Sequence, residues 1–200
     1  MTPSSPRVGQ TERKTKETEI KVSVNLDGEG RFEGSVGIPF FEHMLDHLAR
    51  HGHLNLKVEG QGDLQVDSHH TVEDVGICLG QALAQALDDK SGIARYGEAR
   101  VPMEEALAEA SLDVCSRPFL RFEAELRRER LGNYDVEVTE DFFRALCANA
   151  GLTLHIRVPY GRNAHHVVEG IFKAFARALG EAVRIDPRRG GQTPSTKGAL

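Results

Sequence analysis

A short histidine-rich motif occurs twice in this chain and limits its possible folds more than any other feature. The copies are residues 67–74 (DSHHTVED) and residues 163–170 (NAHHVVEG), and each leads into an apolar stretch with helical periodicity. A polar residue, Ser68 or Asn163, precedes each histidine pair at the position of a helix N-cap. The motif therefore predicts two amphipathic helices that begin at the histidines.

The spacing within the motif predicts metal binding. On a helix, the first histidine and the glutamate lie four residues apart and share a face, as His69 does with Glu73 and His165 with Glu169. The second histidine points roughly 100° away and serves a different site. One His-His pair is more often a capping or surface feature, but two copies opening two helices indicate metal ligands. Imidazole and carboxylate suit first-row divalent metals, and the lack of thiolates argues against a structural zinc site.

The predicted elements follow the same order in two halves of the chain, residues 1–92 and residues 93–200. The first half has predicted strands at 7–13, 19–26, 31–36 and 54–59, a helix at 40–51 that Gly52 ends, a hairpin turn at Asp27–Gly30, and the first histidine helix. The second half has predicted strands at 95–101, 106–115, 119–126 and 152–158, a charged turn at 127–133, a helix at 138–150 that Gly151 ends, and the second histidine helix. We therefore expect a duplicated α+β fold, β-β-β-α-β-α in each half, forming one compact domain.

The register of the duplication predicts two more metal ligands. His69 and His165 are 96 residues apart, whereas the strands that begin at Leu54 and Leu152 are 98 residues apart. If the offset of 98 residues also applies to the shorter helix of each half, Asp141 is the counterpart of His43. The predicted ligands of site one are His43, His70, His165 and Glu169, and those of site two are Asp141, His69, His166 and Glu73. Four ligands leave room for water or substrate around an octahedral ion such as Mn²⁺, and Fe²⁺, Co²⁺ and Zn²⁺ stay open.

Charge and composition exclude several other classes of protein. The net charge of −5 provides no broad basic surface for nucleic acid. The three cysteines are widely spaced and odd in number, which predicts reduced core residues instead of disulfides. The chain has no apolar run long enough for a membrane span, and residues 1–10 lack the apolar core of a signal peptide. We expect a cytoplasmic protein whose residues 1–6 are disordered.

Six segments of the chain resemble imidazoleglycerol-phosphate dehydratases of histidine biosynthesis. They are IPFFEHMLDHLARHG, GDLQVDSHHTVEDVGICLG, GIARYGEARVPMEEAL, GLTLHIRV, NAHHVVEGIFKAFARAL and TPSTKG. The resemblance covers residues 7–200, and the two histidine motifs together with the TPSTKG tail make it specific. It implies helices packed between two four-stranded sheets, two Mn²⁺ per subunit and a 24-subunit shell with active sites between subunits. One departure is Asp141, where relatives often have histidine.

The resemblance also implies a reaction and the residues that perform it. Imidazole glycerol phosphate would lose water through a di-metal-bound imidazolate and give imidazole acetol phosphate, with Glu17 contacting substrate and acting as the base. The implied contacts to substrate and its phosphate are Arg95, Arg117, Lys173, Ser195, Thr196 and Lys197. His47 and His51, one and two turns after His43, are expected to support the ligands or face the substrate. Two alternatives stay open: a di-metal phosphatase or hydrolase, and a non-catalytic metal-binding shell.

Overall fold

The two halves of the chain build matching sets of strands and helices. The computed structural model describes residues 6–126 and 129–198. The first half contains β1 (Val8–Lys14), β2 (Thr18–Asn25), β3 (Phe32–Ser35), α1 (Pro39–Gly52), β4 (Asn55–Gly62) and α2 (His69–Leu87). The second half contains β5 (Tyr96–Met103), β6 (Ala106–Val114), β7 (Phe119–Glu123), β8 (Arg130–Leu131), β9 (Tyr134–Asp135), α3 (Val138–Ala150), β10 (Leu152–Tyr160) and α4 (Ala164–Val183). A 3₁₀ turn at Pro187–Arg189 leads into the C-terminal tail.

The two four-stranded sheets have the same topology. Their strand orders are β1-β2-β4-β3 and β5-β6-β10-β7. In the first sheet β3 pairs in parallel with β4, and in the second β7 pairs in parallel with β10. In both cases the shorter helix of that half lies between the two strands in the chain. The predicted hairpin at Asp27–Gly30 is therefore wrong, because β2 pairs with β1 and β4 and not with β3. Helix α1 supplies the crossover that a parallel pair requires.

The helices fill the space between the inner faces of the sheets, as the resemblance implies. Strand β2 alternates buried and partly exposed residues, and β6 does the same, which leaves one apolar face on each sheet. Helix α2 packs on β1 and β2 and against α3, while α4 packs on β5 and β6 and against α1. Phe142 from α3 and Phe172 from α4 stack at 5.3 Å, so a single core joins the halves. Within the described ranges, no helix combines the length and the apolar character needed to cross a bilayer.

Two glycines show how closely the halves correspond. A Cβ atom built on Gly9 would lie 1.9 Å from the carbonyl oxygen of Ala82, and one built on Gly97 would lie 1.9 Å from that of Ala178. Only glycine permits this contact between the first strand of each half and the histidine helix above it. The glycines are 88 residues apart and the alanines 96. The first two strands of the halves therefore correspond with an offset of 88 residues.

Two local predictions need correction at the ends of elements, and a third is confirmed. Ser68 does not cap α2, because it already has helical φ and ψ angles. The Asp67 carboxylate instead accepts a hydrogen bond from the His69 amide at 2.8 Å. The Asn163 side chain accepts from the His165 amide of α4 at 2.9 Å in the same way. Gly52 is the last residue of α1, and the left-handed position belongs to His53, with φ 54°. In α3 the left-handed position is Gly151, as predicted.

The predicted charged turn at residues 127–133 contains part of a small hairpin, β8–β9. Arg127 and Arg128 lie outside the described residues, as do residues 1–5 of the predicted disordered N-terminus. In the hairpin the Tyr134 side chain is fully buried and bonds to Thr139. The Ser68 hydroxyl bonds to Asp135 next to the start of α2. The hairpin therefore contacts the start of the first histidine helix. Its two-residue strands are too short to show an alternating pattern, so the sequence does not predict them.

Candidate metal centre

Helices α1 and α4 bring five predicted site residues into one cluster. Glu169 lies at its centre, with Oε2 3.1 Å from His165 Nε2 and 3.5 Å from His43 Nε2. The other oxygen, Oε1, lies 3.4 Å from His47 Nε2 and accepts a hydrogen bond from Lys173 Nζ. Three of the four predicted ligands of site one therefore meet within one chain, and His47 joins them directly.

The electrostatics of this cluster keep Glu169 and His47 in the forms that bind metal. Burial alone would raise the pKa of Glu169, but the hydrogen bond and charge of Lys173, with His47 and His165, lower it to about 2. Burial lowers the pKa of His47 to about 4, although the Glu169 carboxylate opposes that shift. At neutral pH the cluster therefore offers an ionised carboxylate and a neutral His47 imidazole, which are the forms that coordinate metal.

The arrangement of donors fits a divalent cation. One donor atom each from His43, His47 and Glu169 lies within 4.8 Å of the others. The Nε2 atoms of His43 and His47 lie 3.2 Å apart, so the two ring nitrogens face the same space. Among the described residues, the buried Nδ1 of His47 has no hydrogen-bond partner. Two or three imidazoles around one carboxylate are a donor set suited to Mn²⁺, Fe²⁺, Co²⁺ or Zn²⁺.

Helices α2 and α3 form a second, more open cluster. His69 Nδ1 lies 3.9 Å from Asp141 Oδ2, and His69 Nε2 lies 4.0 Å from Glu73 Oε2. The three side chains are 38–46% exposed, in contrast with 6% for Glu169. These are three of the four predicted ligands of site two. Asp141 thus lies beside the motif of the opposite half, as His43 does.

The second histidine of each motif pairs with a carboxylate that belongs to neither cluster. His70 Nδ1 is 3.0 Å from Asp63 and 4.0 Å from the exposed carboxylate of Glu17, while His166 Nδ1 is 2.7 Å from Glu105. These hydrogen bonds raise the pKa of His70 and of His166, in each case against a smaller effect of burial. Each four-ligand set is therefore one imidazole short within a single chain.

The C-terminal tail forms a basic cleft of about 730 Å³ with the start of β5. The predicted phosphate contacts that line it are Arg95, Arg117, Ser195, Thr196 and Lys197. Arg95 donates to both oxygens of Asp113, at 2.7 and 3.1 Å, and to the Pro194 carbonyl at 2.8 Å. Arg95 thus anchors the tail. Arg189 and Gln192 also line the cleft.

Four predicted substrate residues lie outside this cleft, and Glu17 beside His70 and His47 beside Glu169 are two of them. Lys173 lies with Glu169 in the α1–α4 cluster. His51 stacks on His47 with ring centroids 5.5 Å apart, one turn farther along α1.

Several polar residues near these sites escaped the sequence analysis. Asp113 occupies an ordinary outward position of β6 and has no distinguishing pattern. Asp63 lies in the loop before α2, where acidic residues are common. Glu105 has a signal in the duplication: the offset of 88 residues makes it the counterpart of Glu17. That offset becomes visible only when Gly9 and Gly97 are known to contact equivalent helix residues.

Comparison with known proteins identifies the family. The sequence model of the family described as imidazoleglycerol-phosphate dehydratase matches residues 36–179. The imidazoleglycerol-phosphate dehydratase of Symbiobacterium thermophilum is 59% identical over 194 residues, which cover 97% of this chain and 93% of that protein. The chain belongs to the imidazoleglycerol-phosphate dehydratase family. The resemblance found in the sequence is thereby confirmed, and the chain is a hydro-lyase of histidine biosynthesis.

Other members of the dehydratase family agree in sequence and in fold. The enzyme of Halorhodospira halophila is 57% identical over 97% of this chain and 98% of its own length. The crystal structure of imidazoleglycerol-phosphate dehydratase from Staphylococcus aureus has a TM-score of 0.81 at 40% identity, covering 90% of this chain and 99% of that one. The crystal structure of IGPD from Pyrococcus furiosus in complex with (S)-C348 has a TM-score of 0.80 at 32% identity, covering 95% and 100%. The expected duplicated α+β fold is therefore confirmed.

Proposed function

We propose that this dehydratase converts imidazole glycerol phosphate to imidazole acetol phosphate at two metal sites completed between subunits. One observation carries the proposal: within one chain each predicted ligand set has three members together and its fourth, His70 or His166, elsewhere. A second subunit that presents its own His70 and His166 would complete both sites. Site one would hold His43, His70, His165 and Glu169, and site two Asp141, His69, His166 and Glu73.

The chemistry divides between the metal ligands and the base. Metal ions bound by these residues would act as Lewis acids toward the substrate ring. Two Mn²⁺ per subunit would suit this mixture of imidazoles and carboxylates. Lys173 keeps Glu169 ionised, and His47 remains neutral beside it. Both residues thereby keep donors of site one in the forms that bind metal.

Glu17 is the proposed base. Its exposed carboxylate lies 4.0 Å from His70, so it would reach the ring end of a substrate held by that ligand. A Glu17 oxygen would accept the proton from the carbon next to the one that loses the hydroxyl group. General base catalysis of this kind contributes about 10²–10⁴-fold in rate.

The basic cleft supplies the opposite end of the site. Arg117 and Lys197 bring positive charge to it, while Ser195 and Thr196 bring hydroxyl groups and backbone amides, which together suit a phosphate dianion. Arg95 shares its charge with Asp113 and holds the tail in place through Pro194. Lys173 would approach the phosphate only from another subunit or after leaving Glu169.

The proposed assembly is a 24-subunit shell in the cytoplasm, joined through the metal sites. Exposed apolar side chains offer further contact surface, including Val66 in the loop before α2 and Tyr160 at the end of β10. Val66 precedes His70 by four residues, and Tyr160 precedes His166 by six.

The test combines metal analysis with two product assays. Purified protein loaded with Mn²⁺ should contain two metals per subunit and produce imidazole acetol phosphate. Chelation should abolish turnover, and added Mn²⁺ should restore it. Release of inorganic phosphate in place of the dehydrated product would indicate a phosphatase, whereas metal binding without turnover would indicate a storage shell. Full dehydratase activity after complete metal removal would contradict the proposal.

A further inference from the structure

Glu17 and Glu105 occupy equivalent positions in the duplicated fold. The close contacts of Gly9 and Gly97 set an offset of 88 residues for the first two strands, and the same offset relates Glu17 to Glu105. Both glutamates lie in the turn that joins those strands. Both also lie beside the second histidine of a motif, His70 or His166.

The two carboxylates are held very differently. Glu105 Oε1 accepts from the backbone amides of Arg162 and Asn163 at 3.0 and 2.8 Å, and Oε2 lies 2.7 Å from His166 Nδ1. Glu17 remains 56% exposed and 4.0 Å from His70. In the first half Asp63, and not Glu17, lies within hydrogen-bonding distance of His70 Nδ1, at 3.0 Å.

These contacts determine which nitrogen of each imidazole carries the proton. A carboxylate that faces two amide donors can only accept from a third group, so Nδ1 of His166 must be an N–H donor. Nε2 then has a free lone pair in the neutral ring, which is the form that binds metal. An oxygen of the Asp63 carboxylate faces His70 Nδ1 at 3.0 Å and can accept from it, which favours the proton on Nδ1 in His70 as well.

We propose that Glu105 and Asp63 are positioning residues that fix the metal-binding tautomers of His166 and His70. In the second half, the hairpin glutamate itself does this. In the first half Asp63, and not the hairpin glutamate, fixes the tautomer of the motif's second histidine. The equivalent glutamate, Glu17, is therefore available to accept a proton from substrate. The inference rests on the proposed function, because it treats both histidines as metal ligands.

Glu105→Gln and Glu105→Ala separate a positioning role from a purely structural one. Glutamine keeps the oxygen that accepts from Arg162 and Asn163, so the loop and the melting temperature should be preserved. Its NH₂ group, however, donates to His166 Nδ1 and moves the ring proton to Nε2. Alanine loses the loop contacts but leaves Nδ1 free to bond with water. Glu104→Gln, at the exposed neighbouring residue, is the matched control.

The measurements are Mn²⁺ affinity, metal content and histidine ¹⁵N spectra of the chelated protein. We expect Glu105→Gln to melt like the wild type, to bind its second Mn²⁺ about 10–100-fold more weakly and to hold it no better than Glu105→Ala. The spectra should show the His166 proton on Nδ1 in the wild type and on Nε2 in Glu105→Gln. Glu104→Gln should retain both metals.

Three results would overturn the inference, and one of them also overturns the proposed function. If Glu105→Gln binds two Mn²⁺ with wild-type affinity, Glu105 only secures the loop. If Glu104→Gln loses as much affinity as Glu105→Gln, the charge of the turn is responsible and not the tautomer. If the wild-type protein itself binds no divalent metal, the proposed function fails as well.

Discussion

Asp141 is the residue at which the predicted ligand scheme can be tested most directly. Its carboxylate faces His69 at 3.9 Å and gives site two a second negative side chain beside Glu73, which should favour a hard ion there. We predict that Asp141→Asn loses about one metal equivalent per subunit and most of its turnover, because a charged ligand is replaced by a neutral one. Metal content and thermal melting measure the two effects, and stability should change little.

The competing explanation is that Asp141 only complements the dipole of α3. It lies in the first turn of that helix, where a carboxylate contributes about 0.3–1 kcal/mol. Normal turnover and two tightly bound metals in Asp141→Asn would favour this explanation. The symmetric ligand scheme would then be wrong.

Glu169 should make the stability of the metal-free protein depend on pH. Its pKa is lowered from an ordinary 4.5 to about 2, so the unfolded chain binds the proton more readily than the folded one. The stabilisation is therefore present above about pH 4.5 and is lost as the pH falls toward about 2. We predict that Glu169→Gln destabilises the chelated protein near pH 7 and progressively less below pH 4.5, as measured by urea unfolding.

Glu73→Gln provides the matched control for this experiment. Glu73 is the counterpart of Glu169 in the other motif, but its side chain is 46% exposed and 4.0 Å from His69. An effect of Glu73→Gln equal to that of Glu169→Gln would show that burial beside Lys173 is not the source of the stability.

At the scale of elements, the C-terminal tail should act on substrate and not on metal. The tail lines the basic cleft, and Arg95 ties it to the body through Pro194. We predict that Lys197→Ala, Arg117→Ala or truncation after Gly191 leaves two metals bound. Each lost charged contact is worth roughly 1.5–3 kcal/mol, so kcat/KM should fall about tenfold to a hundredfold. Loss of metal from these variants would show that the phosphate end is assigned wrongly.

At the scale of the whole molecule, we predict that metal binding and assembly depend on each other. Each proposed site needs an imidazole from a second subunit, so chelation should shift the proposed 24-subunit particle to a smaller species in light scattering. Mn²⁺ should restore the large particle. A monomer with full activity would contradict the shared sites.

Mixed assemblies test the sharing of site one between subunits. His43→Ala and His70→Ala should each be inactive alone, because each removes one ligand of that site. Random co-assembly of the two variants should restore about a quarter of the sites, since some combine an intact His43 with an intact His70 from another subunit. No recovery in the mixture would place all ligands on one chain.

The sequence alone determined much of the local structure and part of the site. Period-two and helical patterns located the eight strands of the two four-stranded sheets and the four described α-helices, because burial of one face leaves a mark in the order of residues. The repeated motif identified His69, His165 and their glutamates. The repeat register added His43 and Asp141, which the fold brings to equivalent clusters.

Only the tertiary structure decided which elements are neighbours. The parallel placement of β3 beside β4 follows from the crossover through α1 and not from the turn at residues 27–30. Packing of α1 on α4 put His47 and Lys173 beside Glu169, and the hairpin turn put Glu105 on His166. Periodicity records which face of an element is buried but not which element buries it, because that choice depends on contacts between residues far apart in the chain.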